Sequence, residues 1–494
     1  MRAFHRLLGI VAAVCVLAAL APAGVAGADE APPGDPGGAG TGGTAAEDAD
    51  GDAPDTADQD PGDAGSASDL PYDEIIERGV VSVEAFWAQA MPAVYGVEYQ
   101  PLAALVPWDP EDVSTLPDCG GSQPPPSSYV DNAFYCPADD YIGWDDTGLF
   151  PRLYEDFGDA TIALVLAHEW GHAIQFRLGI PAGTPTILLE LQADCFAGAW
   201  SATAMPGDAA TGDEPLLLPQ SDVDEAIGGY VLFRDPPGSD PLGPNAHGSA
   251  FDRIGAFRDG FVGGVERCAT FMTDGYAIAA VELIEADLET GGNVALDELF
   301  DELVPPDLED YWTINAPDLL GVEWDPTDGF RAVESGTPAT CGDEVIEPAR
   351  LALDVVWCAA DDTIVWDRGE LVEPLYEAIG DFAVASFLGN AWAHKALVLA
   401  GVDADPIEME LRSDCLTGAW ASDLWRRERT SPELPPEEWT GYIGLSAGDL
   451  DEGVAGLLAV QDPEVARLDV TAFARVDAFR IGFFSPDPSE CVAD

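Results

Sequence analysis

Two histidines four residues apart, His168 and His172, are the side chains of this 494-residue chain best suited to bind a metal ion. They belong to the pentapeptide His-Glu-Trp-Gly-His, in a segment, 160–178, whose apolar spacing predicts a helix that ends at Gly179. On a helix, this spacing places both imidazoles on one face, where they can reach one zinc ion. In a chain with five histidines, chance gives this pattern at well below about one per cent. The sequence therefore predicts a zinc site with Glu169 beside it.

A second predicted helix, 186–205, supplies the acidic partners that such a site needs. It carries Glu190 and, one turn later, Asp194, in an otherwise apolar stretch. Buried carboxylates require partners, so we expect Glu190 to be the third zinc ligand. We expect Asp194 to accept the ring N–H of a ligating histidine and so to orient it. Cys195 is not expected to be a ligand, because the second half of the chain keeps the equivalent Cys415 without most of the other metal-binding residues.

Four motifs between about 130 and 268 together make the chain resemble the bacterial neutral zinc metallopeptidases, whose wider class is the gluzincins. They are CPAD from Cys136, HEWGHAIQ from His168, ELQADCFAGAW from Glu190 and AHGS from Ala246. The resemblance implies that His168, His172 and Glu190 hold zinc, that Glu169 is the general base, and that the reaction is peptide-bond hydrolysis. Trp170 departs from the family pattern, in which an aromatic residue such as Tyr is more familiar.

In such a reaction Glu169 takes a proton from the attacking water and later passes it to the leaving amine. A further donor should stabilise the developing oxyanion. His247, in a Gly/Ser/Pro/Asn-rich loop before a predicted helix, is our first candidate for this donor, and Tyr230 is the second. A loop histidine is often no more than a polar surface group, and the sequence leaves that alternative open.

The elements that position these residues recur in the second half of the chain. Residues 134–145 reappear 222 positions later at 356–367, and the same approximate register continues through later motifs. We predict a signal peptide at 1–28, an acidic tether at 29–69 and two copies of one domain, 70–292 and 293–494. The predicted fold class is α+β, with each copy a mainly helical zincin-like domain that includes a small sheet near Val130–Tyr135.

The second copy is predicted to be a degenerate, pseudoenzyme domain. In the shared register Asn390 replaces the first histidine and Ala391 replaces the glutamate, while Asp469 aligns with His247. The residues that the copy retains are His394, Glu410 and Asp414. Two retained ligands without a base cannot support hydrolysis, so we expect one zinc per chain, held by the first copy.

The cysteines follow the same register, four in each copy: 119, 136, 195 and 268, then 341, 358, 415 and 491. In an exported protein this even number favours disulfides. Four cysteines allow three pairings in each copy. We prefer Cys119 with Cys136 and Cys195 with Cys268, because the first two flank a short Pro/Ser-rich loop.

Composition limits the classes of function. The formal charge of −71 arises from 91 acidic against 20 basic residues and excludes nucleic acid as a partner. Arg2 and Arg6, an apolar run at 7–20 and small residues up to Ala28 predict a secretory signal. From 29 to 69 the chain has almost no large apolar residues, and we expect this tether to be disordered.

We therefore expect a secreted or otherwise extracytoplasmic protein, including one held at the cell surface, with no membrane-spanning segment in the mature chain. The leading function is a zinc metallopeptidase acting on peptides or proteins. The alternative is a non-catalytic exported binding or scaffold protein with a structural zinc site, which would have no need of Glu169 and would carry a fourth protein ligand.

Overall fold

The computed structural model describes residues 70–181, 183–205, 216–281, 283–284, 287–426, 444–460, 471–485 and 487–492. The predicted signal peptide, the predicted acidic tether and Asp469 lie outside these residues. The described part is α+β and mainly helical, with small sheets, so the predicted fold class is confirmed.

Among the described residues of the first half there are five long helices and one small sheet. The helices are α1 (Tyr72–Ala90), α2 (Leu149–Leu178), α3 (Thr186–Ala204), α4 (Gln220–Leu232) and α5 (Ala250–Ala269), and the strands are β1 (Ala104–Trp108), β2 (Ala133–Cys136) and β3 (Tyr141–Asp145). Short helical segments occur at Met91–Tyr95, Pro126–Ser128, Phe271–Asp274 and Asp287–Thr290.

The part of the second half that the structure describes also has five long helices. These are α6 (Val304–Leu319), α7 (Asp381–Leu399), α8 (Pro406–Arg426), α9 (Asp449–Ala459) and α10 (Ala472–Phe484). Its strands are β4 (Gly329–Val333), β5 (Ala339–Cys341), β6 (Glu344–Ile346), β7 (Val356–Cys358) and β8 (Thr363–Asp367). Short helical segments occur at Leu296–Glu298, Leu299–Leu303, Pro348–Leu351, Arg368–Val372, Glu373–Ala378 and Pro488–Cys491.

Each half contains a three-stranded sheet of the same topology. The order is β1-β3-β2 in the first half and β4-β8-β7 in the second, and the central strand is parallel to one neighbour and antiparallel to the other. In the second half β5 and β6 add an antiparallel hairpin. This common topology agrees with the predicted duplication, which stays a prediction because common topology does not establish common origin.

Four disulfides link the cysteines in the pairing that we preferred. Cys119 bonds Cys136, and Cys195 bonds Cys268. The second half repeats this pattern with Cys341–Cys358 and Cys415–Cys491. Because Cys195 is in a disulfide, it is not available as a zinc thiolate.

In each half, the helix with the ELxxDC sequence makes a very close backbone contact with the last long helix. These pairs are α3 with α5 and α8 with α10. A Cβ atom added to Gly198 of α3 would lie 1.9 Å from the carbonyl oxygen of Phe257. One added to Gly260 of α5 would lie 1.7 Å from that of Cys195. Only glycine permits this backbone approach. The separations at Gly418 and Gly482 in α8 and α10 are likewise 1.9 and 1.7 Å.

The two halves pack against each other through α5 and α10. The aromatic contacts join Phe251 to Phe479, Phe483 and Phe484, and Phe257 and Phe261 to Phe473. Asp451 of α9 accepts a hydrogen bond from the backbone N–H of Phe251, at 2.9 Å. The second half therefore supports the helix that carries Arg253, a residue of the candidate site.

One described helix, α7, is long and apolar enough to cross a membrane by length and composition. However, 83% of its apolar stretch is buried inside the protein. Such burial is typical of a core helix.

Candidate active site

The predicted metal-binding residues lie on two neighbouring helices. Helix α2 is interrupted at Gly158, whose φ of 76° is non-helical, so its second part begins at Asp159 and ends before Gly179, close to the predicted 160–178. His168 and His172 lie on this second part. Glu190 lies on α3, which spans Thr186–Ala204, as predicted within one residue.

Three side chains converge at one point. The Nε2 atoms of His168 and His172 are 3.1 Å apart. Oε2 of Glu190 is 3.3 Å from Nε2 of His168, and Oε1 is 3.5 Å from Nε2 of His172. Ligands at about 2.0–2.1 Å from a tetrahedral zinc are about 3.3 Å apart, so this His₂Glu set fits a zinc ion.

Asp194 orients the first histidine. Its Oδ1 lies 2.7 Å from Nδ1 of His168. Because a carboxylate only accepts hydrogen bonds, the proton is on Nδ1, and the lone pair of Nε2 is directed at the metal position. Asp194 is held in turn by Arg253 of α5, whose Nε and Nη2 donate to its two oxygens at 2.8 and 2.9 Å. The structure thus places Asp194 where the spacing predicted it and adds Arg253, which we did not anticipate.

Gln175 orients the second histidine. Its amide nitrogen donates to the carbonyl oxygen of Leu189 at 2.6 Å, which directs Oε1 toward Nδ1 of His172 at 3.0 Å. The lone pair of Nε2 of His172 is thereby left for a metal. Sequence reasoning also missed this role, although Gln175 lies three residues after His172 on a predicted helix, and residues at that spacing are neighbours on its surface.

The electrostatics of the site favour a bound cation. Burial lowers the pKa of His168, but the carboxylates of Asp194 and Glu190 outweigh it and raise this pKa to about 10. Burial raises the pKa of Glu190, but His172 and His168 outweigh it and hold this pKa well below its usual range. The metal-free cluster therefore retains a proton that zinc must displace, and zinc affinity should fall as pH falls.

Glu169 faces the same place without being one of the clustered ligands. It is 7% exposed, and its Oε2 is buried without a hydrogen-bond partner among the described residues. Glu169 and the three ligands line one cavity of about 900 Å³. Because Glu169 lines this cavity beside the metal position, its carboxylate is suited to accept a hydrogen bond from a water molecule held there.

The two candidate oxyanion donors lie in the wall of this cavity. His247 has a half-exposed side chain, and its Nδ1 is 3.3 Å from Oδ1 of Asp235. Tyr230 is buried, with the guanidinium carbon of Arg253 5.3 Å from the centre of its ring. Burial and then the carboxylate of Asp194 raise the pKa of Tyr230 well above its usual value, so its hydroxyl remains a donor.

Replacing Asp194 by Asn should weaken zinc binding by about 10–100-fold, the usual effect of losing the partner of a ligating histidine. It also leaves the charge of Arg253 buried without its carboxylate, which should cost about 3–5 kcal/mol of folding stability. Zinc titration and thermal unfolding measure the two effects. Asp414→Asn is the matched control, since Asp414 makes the same two bonds to Arg475. The Asp414→Asn control should lower the folding stability without changing the zinc affinity. An equal loss of zinc affinity in both variants would contradict the role of Asp194.

A different cluster occupies the place in the second half that the predicted repeat makes equivalent. The amide of Asn390 donates to Oδ1 of Asp414 at 2.8 Å, in place of an imidazole. Nη2 of Arg475 is 2.6 Å from Oε1 of Glu410, so this carboxylate contacts a guanidinium. The groups of three or more candidate metal ligands among the described residues do not include His394.

Restoring the two lost residues by Asn390→His with Ala391→Glu should raise the zinc content from about one toward two per chain. The second zinc should bind more weakly, because Glu410 must first leave Arg475. Metal analysis at increasing zinc concentration measures this. A wild-type content of two, or a double variant that stays at one under saturating zinc, would show that the halves do not share the predicted geometry.

Comparison with known proteins agrees with this site. Residues 41–271 match the family described as "Putative neutral zinc metallopeptidase". No solved structure matches the chain significantly. The matched range includes all the zinc-binding candidates and both candidate oxyanion donors.

Two relatives illustrate the similarity. The "Uncharacterized protein Rv2575" of Mycobacterium tuberculosis is 32% identical over 168 residues, which are 30% of this chain and 57% of the relative. The "Uncharacterized protein YpfJ" of Escherichia coli K12 is 30% identical over 176 residues, 32% of this chain and 58% of the relative. The chain thus matches less than two thirds of each relative's length. Residues 41–271 of the chain are thus similar to the family described as "Putative neutral zinc metallopeptidase".

Proposed function

We propose that the protein is a secreted zinc metallopeptidase that hydrolyses peptide bonds in peptides or proteins. The observation that carries this proposal is the convergence of His168, His172 and Glu190 beside Glu169 in one cavity. Oε2 of Glu169 has no hydrogen-bond partner among the described residues. His168, His172 and Glu190 would hold the zinc. When bound, zinc supplies the Lewis acidity that lowers the pKa of a water molecule and polarises a carbonyl group.

The other residues of the site transfer the proton and orient the zinc ligands. Glu169 accepts the proton of the attacking water at its carboxylate and returns it to the leaving amine. Asp194, held by Arg253, and Gln175, held by the Leu189 carbonyl, keep the two imidazoles in one tautomer and orientation. The buried network prevents the ligands from rotating between turnovers.

We assign the oxyanion donor to His247, with Tyr230 as the alternative. Asp235 accepts from the backbone N–H of His247 at 2.8 Å, and its Oδ1 lies 3.3 Å from Nδ1 of the ring. With Nδ1 protonated beside this carboxylate, Nε2 donates to the oxyanion when the ring is an imidazolium, in which both nitrogens carry a proton. Burial raises the pKa of Asp235, but hydrogen bonds from His247 and Gly248 outweigh it, so Asp235 stays ionised and holds this loop.

Replacing His247 by Phe should slow the chemical step by about 10²-fold, the typical loss of one oxyanion donor, with zinc content unchanged. His247→Gln retains an N–H donor and should lose less. Single-turnover rates with metal analysis test both variants. Activity of the Phe variant within about twofold of wild type would remove His247 from the mechanism and leave Tyr230.

A non-catalytic protein with a structural zinc site is the alternative. Structural zinc sites are closed by four protein ligands. The described cluster at this place comprises three, and Oε2 of the neighbouring Glu169 has no hydrogen-bond partner in the described part of the chain. Both observations favour catalysis.

Export is proposed from the predicted signal sequence and is compatible with the four disulfides, which persist in oxidising compartments. The second half, predicted to be a degenerate copy, would act as a scaffold for α5 of the first half.

Hydrolysis of an unfolded protein or a peptide library tests the proposal directly. We expect hydrolysis that a zinc chelator stops and that added zinc restores. Unchanged cleavage in the chelator, or none by the zinc-loaded protein, would contradict it.

A further inference from the structure

A carboxylate of the second half lies against the loop that carries His247. The His247 loop, residues 233–249, joins α4 to α5. Asp451, the third residue of α9, is 3% exposed, and its two oxygens reach both ends of this loop. Oδ1 accepts from the backbone N–H of Phe251, just after the loop ends, at 2.9 Å. Oδ2 is 3.7 Å from Nε of Arg234, where the loop begins.

Within the loop, the residue next to Arg234 holds His247 in place. Asp235 accepts from the backbone N–H groups of His247 and Gly248, each at 2.8 Å. It also donates its own backbone N–H to the carbonyl oxygen of Gly248 at 2.9 Å. Because Arg234 and Asp235 are joined by a planar peptide bond, a displacement of Arg234 is passed to Asp235 and so to His247.

The other end of the loop has a second anchor in the second half. Arg480 of α10 donates to the carbonyl oxygen of Phe251, and its guanidinium carbon is 4.3 Å from the centre of that ring. A Cβ atom added to Gly255 would lie 1.9 Å from this guanidinium carbon, so Arg480 packs directly on the backbone of α5. The loss of Asp451 should therefore be felt mainly at the Arg234 end of the loop.

The Arg234 end lies between the zinc site and the second half. Nη1 of Arg253, which also holds Asp194, donates to the carbonyl oxygen of Phe233 at 2.8 Å. The side chains of Arg234 and Asp451 are 16% and 4% exposed, so solvent and salt screen their attraction only weakly. Removal of one partner leaves the other buried without its counter-charge, which favours its displacement.

We propose that Asp451 is a positioning residue of the active site, a side chain of the second half that holds His247 in the wall of the zinc cavity by closing the His247 loop at its base. This inference rests on the proposed function, because it assigns the catalytic value of the contact to His247. It gives the second half, which is not expected to hold zinc, a part in catalysis by the first.

A purely structural role at the interface between the halves is the competing explanation. The chain offers a matched control, because Oδ1 of Asp477 in α10 is 2.6 Å from Nε of Arg258 in α5. This ion pair also joins α5 to the second half, but about two turns away from the loop. Asp477→Asn thus weakens the interface without removing a contact of the His247 loop.

Hydrogen exchange of the full-length, zinc-loaded protein, followed by mass spectrometry in peptides that contain His247 and Gly248, tests the positioning. In Asp451→Asn these two amides should exchange at least about tenfold faster than in the wild type, because their bonds to Asp235 open more often. Asp477→Asn should exchange as the wild type does at the same amides. This measurement needs no substrate, so it decides whether Asp451 holds the loop even if the protein hydrolyses no peptide.

Single-turnover kinetics test the link to catalysis. Asp451→Asn should slow the chemical step by about tenfold with its zinc content unchanged, which is part of the effect of losing the oxyanion donor altogether. In a His247→Phe background the same change should have an effect of less than about twofold, because there is no donor left to displace. A purely structural role predicts the same fold-loss in both backgrounds.

Unchanged exchange at His247 and Gly248 in Asp451→Asn, or equally faster exchange in Asp477→Asn, would overturn the proposal. So would an equal fold-loss of activity in the two backgrounds, or a His247→Phe variant as active as the wild type. A wild type without hydrolysis would refute the proposed function instead. If Asp451→Asn does not fold, Arg234→Gln removes the other partner and should give the same results.

Discussion

Glu169→Gln is expected to reduce peptide hydrolysis by about 10³–10⁴-fold while leaving one zinc bound per chain. The amide has nearly the shape of the carboxylate but cannot accept the proton of the attacking water. Because Glu169 is not one of the three clustered ligands, its replacement leaves the metal site intact. Steady-state kinetics and metal analysis on the same sample measure both effects.

Glu155→Gln is the matched control. Glu155 is an exposed residue on the same helix, so the change removes the same charge away from the site. This variant should retain wild-type kinetics. Full activity in Glu169→Gln, or loss of its zinc, would refute the role of general base.

Glu190→Ala should remove zinc from the protein and, with it, the hydrolysis at limiting zinc. The substitution deletes the third ligand, and it leaves His168 and His172 as the two donors of the cluster that we describe. Equilibrium dialysis against a zinc buffer measures occupancy, and excess zinc should restore activity only in part.

The second half provides the control for this variant. Glu410→Ala removes the residue in the equivalent register, which contacts Arg475 rather than an imidazole. Its zinc content should equal that of the wild type. Equal loss of zinc in both variants would place the metal elsewhere.

The parts of the site formed by residues close together in sequence were predictable. His168 and His172 share a helix, and the four-residue period alone aligns their side chains. Glu190 and Asp194 stand out because carboxylates are rare in an apolar helix. The disulfide pairing was predicted in part from the proximity of Cys119 and Cys136 in sequence.

The features that were not predicted depend on tertiary contacts, which local sequence patterns do not indicate. Arg253 reaches Asp194 from a helix 59 residues later, and an Arg within an amphipathic pattern usually predicts a solvated surface. The break in α2 at Gly158 was not predicted because helical segments continue on both sides of it. The contact of Glu410 with Arg475 was also not predicted, because these residues are 65 positions apart in sequence.

Titration of the metal-free wild-type protein with zinc, with hydrolysis followed at each step, tests the central claim most directly. Activity should rise with each addition and reach its plateau at about one zinc per chain, the content expected if His168, His172 and Glu190 alone hold the catalytic metal. Hydrolysis that is complete before any zinc is added, or that is absent at every zinc content, would contradict the account.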